Sequence, residues 1–304
     1  MHKLSKRRIV SIRTRILRKL VALSMSGWSK GSIEAQRARQ ERAVKRTRLP
    51  ADVHCRPVSV AGRPAEWIEA PGASPGALLY LHGGAFALGS IDVFREWVAR
   101  LARAANTRAL LVDYRLAPEH PYPAALDDAT AAYLWLLQKG VEPPKIILAG
   151  DSAGGGLALS TLVGLRDAGR PLPAGALCIS PWVDLALTGS SIQDKAHLDP
   201  ILTPGDLEMY AGYYAGTVDR TDPLLSPLYD DWRGLPPLLI QVGSEEILLD
   251  DAVRSAAKAR AAGVDVKLET WEGMFHVFHM LAFLPETRRA LASIAGFVSQ
   301  RLGG

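Results

Sequence analysis

The sequence predicts an α/β protein in which helices cover both faces of a mostly parallel sheet. Eight short runs of apolar or β-branched residues lie between residues 58 and 270, and most are bounded by Gly, Pro or Asp. Amphipathic helical patterns separate several of these runs. Continuous apolar strands that alternate with helices are typical of a parallel sheet buried on both sides.

The predicted strands and helices follow one another through one large domain. The strands cover Val58–Val60, Glu66–Glu69, Ala77–Leu81, Ala109–Val112, Lys145–Ala149, Ala176–Ile179, Leu238–Val242 and Val266–Thr270. The helices cover Val93–Ala105, Leu157–Leu165, Asp251–Ala262 and Glu286–Leu302. A chain of 304 residues is long enough for such a domain and an accessory element.

Two segments fall outside this alternation and are predicted to form a helical cap. Residues 1–50 are helical and basic, and residues 182–230 form a long insertion punctuated by Pro and Gly. An insertion of that length between two core strands is uncommon as a bare loop. We therefore expect residues 1–50 to be the N-terminal part of the cap and residues 51–304 the catalytic domain, with 182–230 as the cap insertion.

The basic N-terminus has two interpretations. Residues 1–48 contain fifteen Lys or Arg and two Glu, a balance of +13 that leaves −8 for the rest of a chain of net charge +5. One helical stripe there carries Ile9, Ile12, Ile16, Leu20 and Leu23, and the basic residues Arg8, Arg15, Arg18 and Lys19 lie largely outside it. Such a helix either lies weakly on an anionic membrane or turns its apolar stripe toward the active-site mouth, and the second interpretation is favoured. Nucleic-acid binding is not expected, because no recognition motif accompanies the charge.

The cysteines and the hydropathy pattern favour a cytoplasmic protein. The two cysteines, Cys55 and Cys178, are too few for a disulfide framework and have no zinc-site spacing. Cys178 lies in an apolar run and is expected to be a buried, inert thiol. We identify no secretory signal and no run of about 18 apolar residues that would span a bilayer.

A candidate nucleophile lies in Gly150-Asp151-Ser152-Ala153-Gly154, between a predicted strand and a helix. A serine in this context sits on a tight strand-to-helix turn that presents its hydroxyl. The segment His82–Phe86, which begins His-Gly-Gly, directly follows another strand. We expect the backbone N–H groups of Gly83 and Gly84, with that of Ala153, to stabilise an oxyanion.

The base is expected late in the chain, and His276 follows the last predicted strand in a loop-like segment. His279 is the competitor, but its position suggests a surface or helix-end role. The acid should follow Leu238–Val242, where Glu245 and Glu246 are the candidates. A buried carboxylate there would orient the imidazole and stabilise its charged form.

Acidic residues further along are predicted to have another role. Asp250 and Asp251 are expected to begin the next helix, where acidic side chains favour the N-terminal dipole.

Four blocks of the sequence together resemble the hormone-sensitive-lipase-like esterases, the bacterial family IV of lipolytic enzymes. The blocks are His82-Gly83-Gly84, Asp113–Ala124, Gly150–Gly155 and Gly273–Phe278. The resemblance implies an α/β-hydrolase fold with an eight-stranded, mostly parallel sheet flanked by helices, a helical cap and no cofactor or metal. The stretch from Asp113 to Asp128 is expected to be loop structure that supports the oxyanion turn, with Glu119 and His120 as structural partners.

Two departures from the family pattern concern the active site. The family usually has Asp-Pro-Leu in the acid block, and the alignment puts Glu246 at the acid and Ile247 at the proline. Ala85 stands where a third glycine is common, and its methyl group is expected to narrow the pocket.

The resemblance implies a serine carboxylesterase that hydrolyses short- to medium-chain esters through an acyl-enzyme intermediate. An apolar substrate cleft is expected from Phe86, Trp182, Tyr210, Tyr213, Tyr214 and Phe275. Closer similarity to acetyl-hydrolases and lactone hydrolases, through Ser32–Arg37 and Leu49–Asp52, keeps lactone hydrolysis or deacetylation as an alternative. Receptors of this fold that only bind ligands lack the catalytic histidine, and His276 is present. The family often forms homodimers through the last strand and its neighbouring helix.

Overall fold

The core of the molecule is an eight-stranded sheet with strand order β1-β2-β4-β3-β5-β6-β7-β8. The computed structural model describes residues 12–25, 27, 29–44 and 49–303. The strands are β1 His54–Val60, β2 Arg63–Glu69, β3 Ser74–Leu81, β4 Thr107–Val112, β5 Ile146–Asp151, β6 Gly175–Ile179, β7 Leu238–Gly243 and β8 Val266–Trp271. Only β2 pairs antiparallel, with β1 and β4, in the described sheet. The predicted eight-stranded, mostly parallel sheet is confirmed.

The predicted start of β5 is wrong. Lys145 belongs to a short 3₁₀ turn, Pro143–Lys145, and β5 begins only at Ile146, the first fully buried position. The side chain of Lys145 instead donates a hydrogen bond to the carbonyl oxygen of Leu302, at 2.7 Å. The charged head therefore lies at the rim of the sheet rather than within it.

Helices cover both faces of the sheet, as predicted. The described helices of the domain are α3 Ile91–Ala104, α4 Ala124–Gln138, α5 Ala153–Asp167, α6 Ser191–Asp194, α7 Pro204–Ala215, α8 Leu249–Ala261 and α9 Pro285–Leu302. Successive side chains of β3 alternate between the two faces of the sheet. Leu79 and Leu81 belong to the hydrophobic core that includes α4 and α5. Leu78 and Tyr80 belong to the core on the other face, which includes α3 and α9. Asp250 and Asp251 lie in the first turn of α8, as expected.

Helix α4 corrects the prediction that Asp113–Asp128 is loop throughout. The helix begins at Ala124, directly after Pro123, because this segment is rich in alanine and leucine, which favour helix. It buries Ala129 and Tyr133 in the core. Residues 113–123 are connecting structure, and within them the Tyr114 hydroxyl donates to the carbonyl oxygen of His82, at 2.7 Å.

Two N-terminal helices, α1 Ile12–Met25 and α2 Ile33–Val44, precede the sheet. In α2, Gln36 accepts a hydrogen bond from Tyr210 of α7, at 2.5 Å. Arg37 forms an ion pair with Glu119, at 2.7 Å, which agrees with the structural role expected for that glutamate. The 12–44 and 182–230 segments therefore contact each other and the rim of the domain.

The apolar stripe predicted on the first helix does not face the active-site mouth. Leu17 and Val21 pack on the domain, whereas Ile16, Leu20 and Leu23 are 55%, 59% and 73% exposed. The prediction is wrong because the face of α1 that packs on the domain, with Leu17 and Val21, is not the face that carries Ile16, Leu20 and Leu23. Ile9 and Arg8 lie outside the described residues, as do the side chains of Ile12 and Arg15.

Close backbone contact fixes the position of α5 beneath the 182–230 segment. A Cβ atom on Gly156 would lie 1.9 Å from the carbonyl oxygen of Trp182, whereas one on Gly164 would meet only Leu224, at 3.8 Å. Both glycines lie within the same helix.

We expect Gly156→Ala to lower the free energy of unfolding by about 1–3 kcal/mol, because backbone must move to admit the methyl group. Gly164→Ala is the matched control and should be neutral or stabilising by about 0.5–1 kcal/mol, since alanine is the better helix former. Urea unfolding measures both. Equal stability of the two variants would contradict the close-contact argument.

Candidate active site

Ser152 lies at the junction of β5 and α5 in a backbone conformation that is rare for a residue with a side chain. Its φ is 53° and its ψ is −125°. Such conformations cost about 1–3 kcal/mol and persist where the surroundings fix them. The Ser152 N–H donates to the carbonyl oxygen of Ile179, at 2.8 Å, and its own carbonyl oxygen accepts from the N–H of Trp182, at 3.0 Å. A Cβ on Gly154 would lie 2.0 Å from the carbonyl oxygen of Leu81, so this turn requires glycine.

The structure brings Ser152, His276 and Glu246 together in a line of contacts. His276 Nε2 lies 3.0 Å from Ser152 Oγ, and His276 Nδ1 lies 3.3 Å from Glu246 Oε1. Both His276 and Glu246 are buried. The other carboxylate oxygen, Glu246 Oε2, accepts hydrogen bonds from the Gly243 N–H at 2.8 Å and the Ser180 hydroxyl at 3.0 Å. The carboxylate is therefore fixed on both sides.

Glu245, the alternative acid, does not face the histidine. Its side chain forms an ion pair with Arg18 of α1, and its backbone N–H donates to the carbonyl oxygen of Met274, at 2.9 Å. The two neighbouring glutamates therefore have separate partners. The geometry selects Glu246 as the carboxylate in contact with His276.

His279 lies in the short 3₁₀ helix Phe278–Met280 and not at the surface, which corrects the surface part of that expectation. It is fully buried, and its Nε2 lies 2.9 Å from Gln241 Oε1. Burial lowers its pKa to about 3, so the ring is neutral at physiological pH. It packs between the rings of Phe278 and Trp97, as a core residue does.

Carboxylates surround His276 and determine its protonation. Burial lowers the pKa of His276, but the hydrogen bond and charge of Glu246, with the charges of Asp199 and Asp151, outweigh burial and raise it above the ordinary value. Asp199 also anchors the segment before α7, because it accepts from the Ile247 N–H at 3.0 Å. The site therefore stabilises a cationic imidazole beside the serine.

The turn after β3 corrects one predicted oxyanion donor. The Gly83 N–H donates to Asp151 Oδ1, at 3.0 Å, and so is directed away from the serine. Among the described residues, none accepts a hydrogen bond from the N–H of Gly84, Ala85 or Ala153. Gly84 and Ala85 line the cavity that contains Ser152, whereas Gly83 does not. The available donors at this turn are thus one residue later than predicted.

A cavity of about 430 Å³ opens beside Ser152 and His276. Its walls come from α1, with Ala22 and Met25, from α7 and the segment before it, and from the turn after β3. Most of the lining is apolar, and includes Met25, Leu88, Trp182, Ile201, Leu202, Leu207 and Tyr210. An acyl chain of modest length would be desolvated there.

Of the six predicted cleft aromatics, only Trp182 and Tyr210 line this cavity. Phe86 and Tyr214 stack on each other, with ring centroids 3.7 Å apart, and both are buried as structural partners. Tyr213 packs edge-on against Tyr210, and Phe275 is buried in the cluster under α1. Packing within the protein, as ring pairs for three of them and in the hydrophobic cluster for Phe275, therefore occupies these four side chains away from the cavity wall.

Three functional roles have no counterpart in the sequence predictions: that of Ala85 as a backbone donor, and those of Ser180 and Asp199. Ser180 binds Glu246 and also accepts from the Val277 N–H, at 3.3 Å, so it links the acid to the histidine loop. Its place directly after β6 is a usable signal, because sites collect at the carboxyl ends of parallel strands. Ala85 follows the glycine pair directly, whereas the role of Asp199 depends on folding of the 182–230 segment.

Comparison with known proteins shows the family to which the sequence is similar. The sequence profile of a family described as alpha/beta hydrolase fold matches residues 78–280. The chain is 47% identical over 255 residues to an acetyl-hydrolase of Streptomyces hygroscopicus, with 84% of each protein covered. It is 41% identical over 249 residues to an esterase of Acinetobacter venetianus, covering 81% of this chain and 82% of that protein.

Solved structures give the same result. An esterase from the bacterial hormone-sensitive lipase family superposes with a TM-score of 0.93 at 42% identity, covering 97% of this chain and all of that one. The esterase EstE5, in a crystal soaked with p-nitrophenyl butyrate, has a TM-score of 0.91 at 41% identity, covering 97% of this chain and 100% of its own.

The reactivity of Ser152 should depend on pH through His276. A fluorophosphonate should label Ser152 faster as pH rises, because only neutral imidazole accepts the serine proton, with a midpoint above the ordinary histidine pKa of about 6.5. Glu246→Gln should lower the midpoint and slow labelling by roughly 10²–10⁴-fold, since burial then acts without the charge.

Glu245→Gln is the matched control and should leave the midpoint of labelling unchanged. Mass spectrometry of labelled protein at a series of pH values measures all three proteins. An unchanged midpoint in Glu246→Gln, or a lowered one in Glu245→Gln, would reverse the assignment of the acid.

Proposed function

The chain belongs to the hormone-sensitive-lipase-like esterases of the α/β-hydrolase family, and we propose that its Ser152, His276 and Glu246 act together as nucleophile, base and acid. The enzyme is a serine carboxylic ester hydrolase, in keeping with the names of its relatives. The observation that carries the residue assignment is the buried His276 Nε2 at 3.0 Å from Ser152 Oγ. A module that only binds ligands would not require this contact.

The mechanism proceeds through an acyl-enzyme. Ser152 Oγ attacks the ester carbonyl while His276 Nε2 takes the serine proton, and Glu246 stabilises the imidazolium that forms. The tetrahedral oxyanion accepts hydrogen bonds from the N–H groups of Gly84, Ala85 and Ala153, which replace the predicted set containing Gly83. His276 then protonates the leaving alcohol, and water releases the acid by the same steps in reverse.

The cavity favours short- to medium-chain esters. Its mostly apolar lining suits an apolar acyl group, and its volume of about 430 Å³ is in the range that holds a whole small ester, acyl and alcohol parts together. The similarity to an acetyl-hydrolase supports the short end of this range, with deacetylation as the specific alternative. A lactone would be opened by the same three residues.

The 12–44 and 182–230 segments are proposed to act together as the cap. Both contribute to the cavity wall, through Met25 on one side and Leu207 and Tyr210 on the other. The hydrogen bond from Tyr210 to Gln36 joins the two segments. The cap would thus define the acyl pocket while the sheet holds the reacting groups.

We also propose that the protein is cytoplasmic and forms a homodimer. The free thiols, buried Cys178 and partly buried Cys55, suit the reducing cytoplasm. None of the described helices has the length and apolarity needed to cross a bilayer. Strand β8 lies at the edge of the sheet and supports a dimer through β8 and α9. Cell fractionation and sedimentation equilibrium test these two assignments.

We further propose that α1 makes a weak contact with anionic membranes. Ile16, Leu20 and Leu23 form an exposed apolar stripe on α1, in the basic part of the chain. Phe283, which is 64% exposed, lies in a loop near α1. Its neighbours Leu281 and Leu284 belong to the same hydrophobic cluster as Leu17 and Val21 of α1. An apolar stripe with cationic surroundings is typical of helices that lie in the membrane interface.

Substrate preference should follow the size of the cavity. In a series of p-nitrophenyl esters, kcat/KM should be highest for acetate to butyrate and fall by about tenfold or more by dodecanoate, because an extended chain of that length would reach beyond the cavity walls. Ser152→Ala should lower turnover of every ester by roughly 10³-fold or more. Near-native turnover by Ser152→Ala would refute the nucleophile, and a dodecanoate optimum would refute the size argument.

Liposome binding should depend on the exposed stripe. Wild-type protein should co-sediment with phosphatidylglycerol vesicles, and Leu20→Asp with Leu23→Asp should lower partitioning by about tenfold or more, because each change removes apolar burial in the interface. Val253→Asp, at an exposed apolar position on α8, is the matched control. Equal binding by the stripe variant, or equal binding of wild type to neutral vesicles, would argue against an anionic surface.

A further inference from the structure

Asp151 is a buried carboxylate next to the nucleophile that takes part in no bond-forming or proton-transfer step of the esterase mechanism. It is the last residue of β5 and is 2% exposed. Its Oδ1 accepts two hydrogen bonds, one from the Tyr80 hydroxyl at 2.7 Å and one from the Gly83 N–H at 3.0 Å. The Tyr80 hydroxyl in turn accepts from Trp97 Nε1, at 2.7 Å. A continuous buried chain of hydrogen bonds therefore runs from α3 to the turn after β3.

The same carboxylate determines the shape of that turn. A Cβ on Gly83 would lie 2.2 Å from Asp151 Oδ2, so the carboxyl group fills the space beside the glycine. The next two residues adopt positive φ, 112° at Gly84 and 54° at Ala85. A left-handed conformation at an alanine is unfavourable and needs support from its surroundings.

We propose that Asp151 is a positioning residue for oxyanion stabilisation, which holds the Gly83 N–H so that those of Gly84 and Ala85 face the cavity. The inference rests on the proposed acyl-transfer mechanism and adds to it a residue that touches no substrate. One side chain thereby joins the nucleophile turn and the oxyanion turn, since Asp151 directly precedes Ser152.

The charge of Asp151 strengthens this contact. Burial raises the pKa of Asp151 to about 6, and the hydrogen bonds from Tyr80 and Gly83 act in the opposite direction. The group is therefore mostly ionised at pH 8, and hydrogen bonds to a carboxylate are stronger than those to a neutral acceptor. An asparagine would keep a carbonyl acceptor for the Gly83 N–H in the same place.

Three variants separate positioning from general stability. Asp151→Ala removes the acceptor, Asp151→Asn keeps one without the charge, and Tyr133→Phe is a control that removes another buried tyrosine hydrogen bond, to the carbonyl oxygen of Pro171. Each is compared with wild type at pH 8 by kcat and KM for p-nitrophenyl butyrate and by affinity for butylboronic acid. The boronate forms a tetrahedral adduct on Ser152 and so reports on the oxyanion donors.

We expect Asp151→Ala to lower kcat and boronate affinity by roughly 100-fold each, with KM changed by less than about threefold, because the donors serve the tetrahedral state. Asp151→Asn should recover both to within about tenfold of wild type. Tyr133→Phe should lower thermal stability alone. If Asp151→Ala does not fold, Asp151→Ser, whose hydroxyl is too short to reach the Gly83 N–H, replaces it with the same expected losses.

Two results would overturn the inference. One is wild-type boronate affinity in the variant without the acceptor, and the other is a loss in Asp151→Asn as large as in Asp151→Ala. Failure of the underlying mechanism is distinguishable from these, because wild-type protein would then form no fluorophosphonate adduct at Ser152.

Discussion

The main chain at Ser152 is held in a conformation that an isolated peptide would leave, and the rest of the site is arranged around that turn. Strand β5 fixes the residue before it and α5 the residues after it, with the carbonyl oxygen of Ile179 and the N–H of Trp182 as anchors from neighbouring segments. Glycines at 150, 154 and 156 allow backbone to approach at distances that a Cβ would prevent. The stability of the whole sheet thus maintains a few kcal/mol of local strain at the reactive serine.

The negative charge of the site is the second organising element, and it is arranged around one histidine. Three buried or partly buried carboxylates, Glu246, Asp199 and Asp151, act on His276, and each is itself held by backbone N–H groups. Preorganised acceptors of this kind need no rearrangement when the imidazole becomes charged. Each of the three carboxylates also has a structural partner of its own, so the electrostatics of catalysis and the packing of loops share the same side chains.

The fold and the roles of Ser152, His276 and Glu246 were predictable because they depend on patterns within short stretches of sequence. Strands, helices and the Ser152 turn follow from hydrophobic pattern and glycine placement, and His276 and Glu246 follow from position after a strand, with the family alignment favouring Glu246 over Glu245. The errors concern directions that only tertiary contacts decide. The Gly83 N–H points toward Asp151, a residue 68 positions away in sequence, and Phe86 is taken from the cavity by stacking on Tyr214. The prediction for the apolar stripe on α1 was wrong for the same reason, since the surface beneath the helix determines which of its faces is buried.

The ion pair between Arg18 and Glu245 has a consequence for how this architecture can evolve. Glu245 is next in sequence to Glu246, which contacts His276, and its backbone N–H donates a hydrogen bond to Met274 in the loop that carries the histidine. The first helix is therefore coupled to the spacing of acid and base as well as to the pocket wall. An N-terminal segment coupled in this way cannot be exchanged independently of the rest of the domain. Replacing it with that of a relative, to alter substrate range, would also disturb the alignment of the reacting groups. The alignment would be kept if residues 18 and 245 changed together.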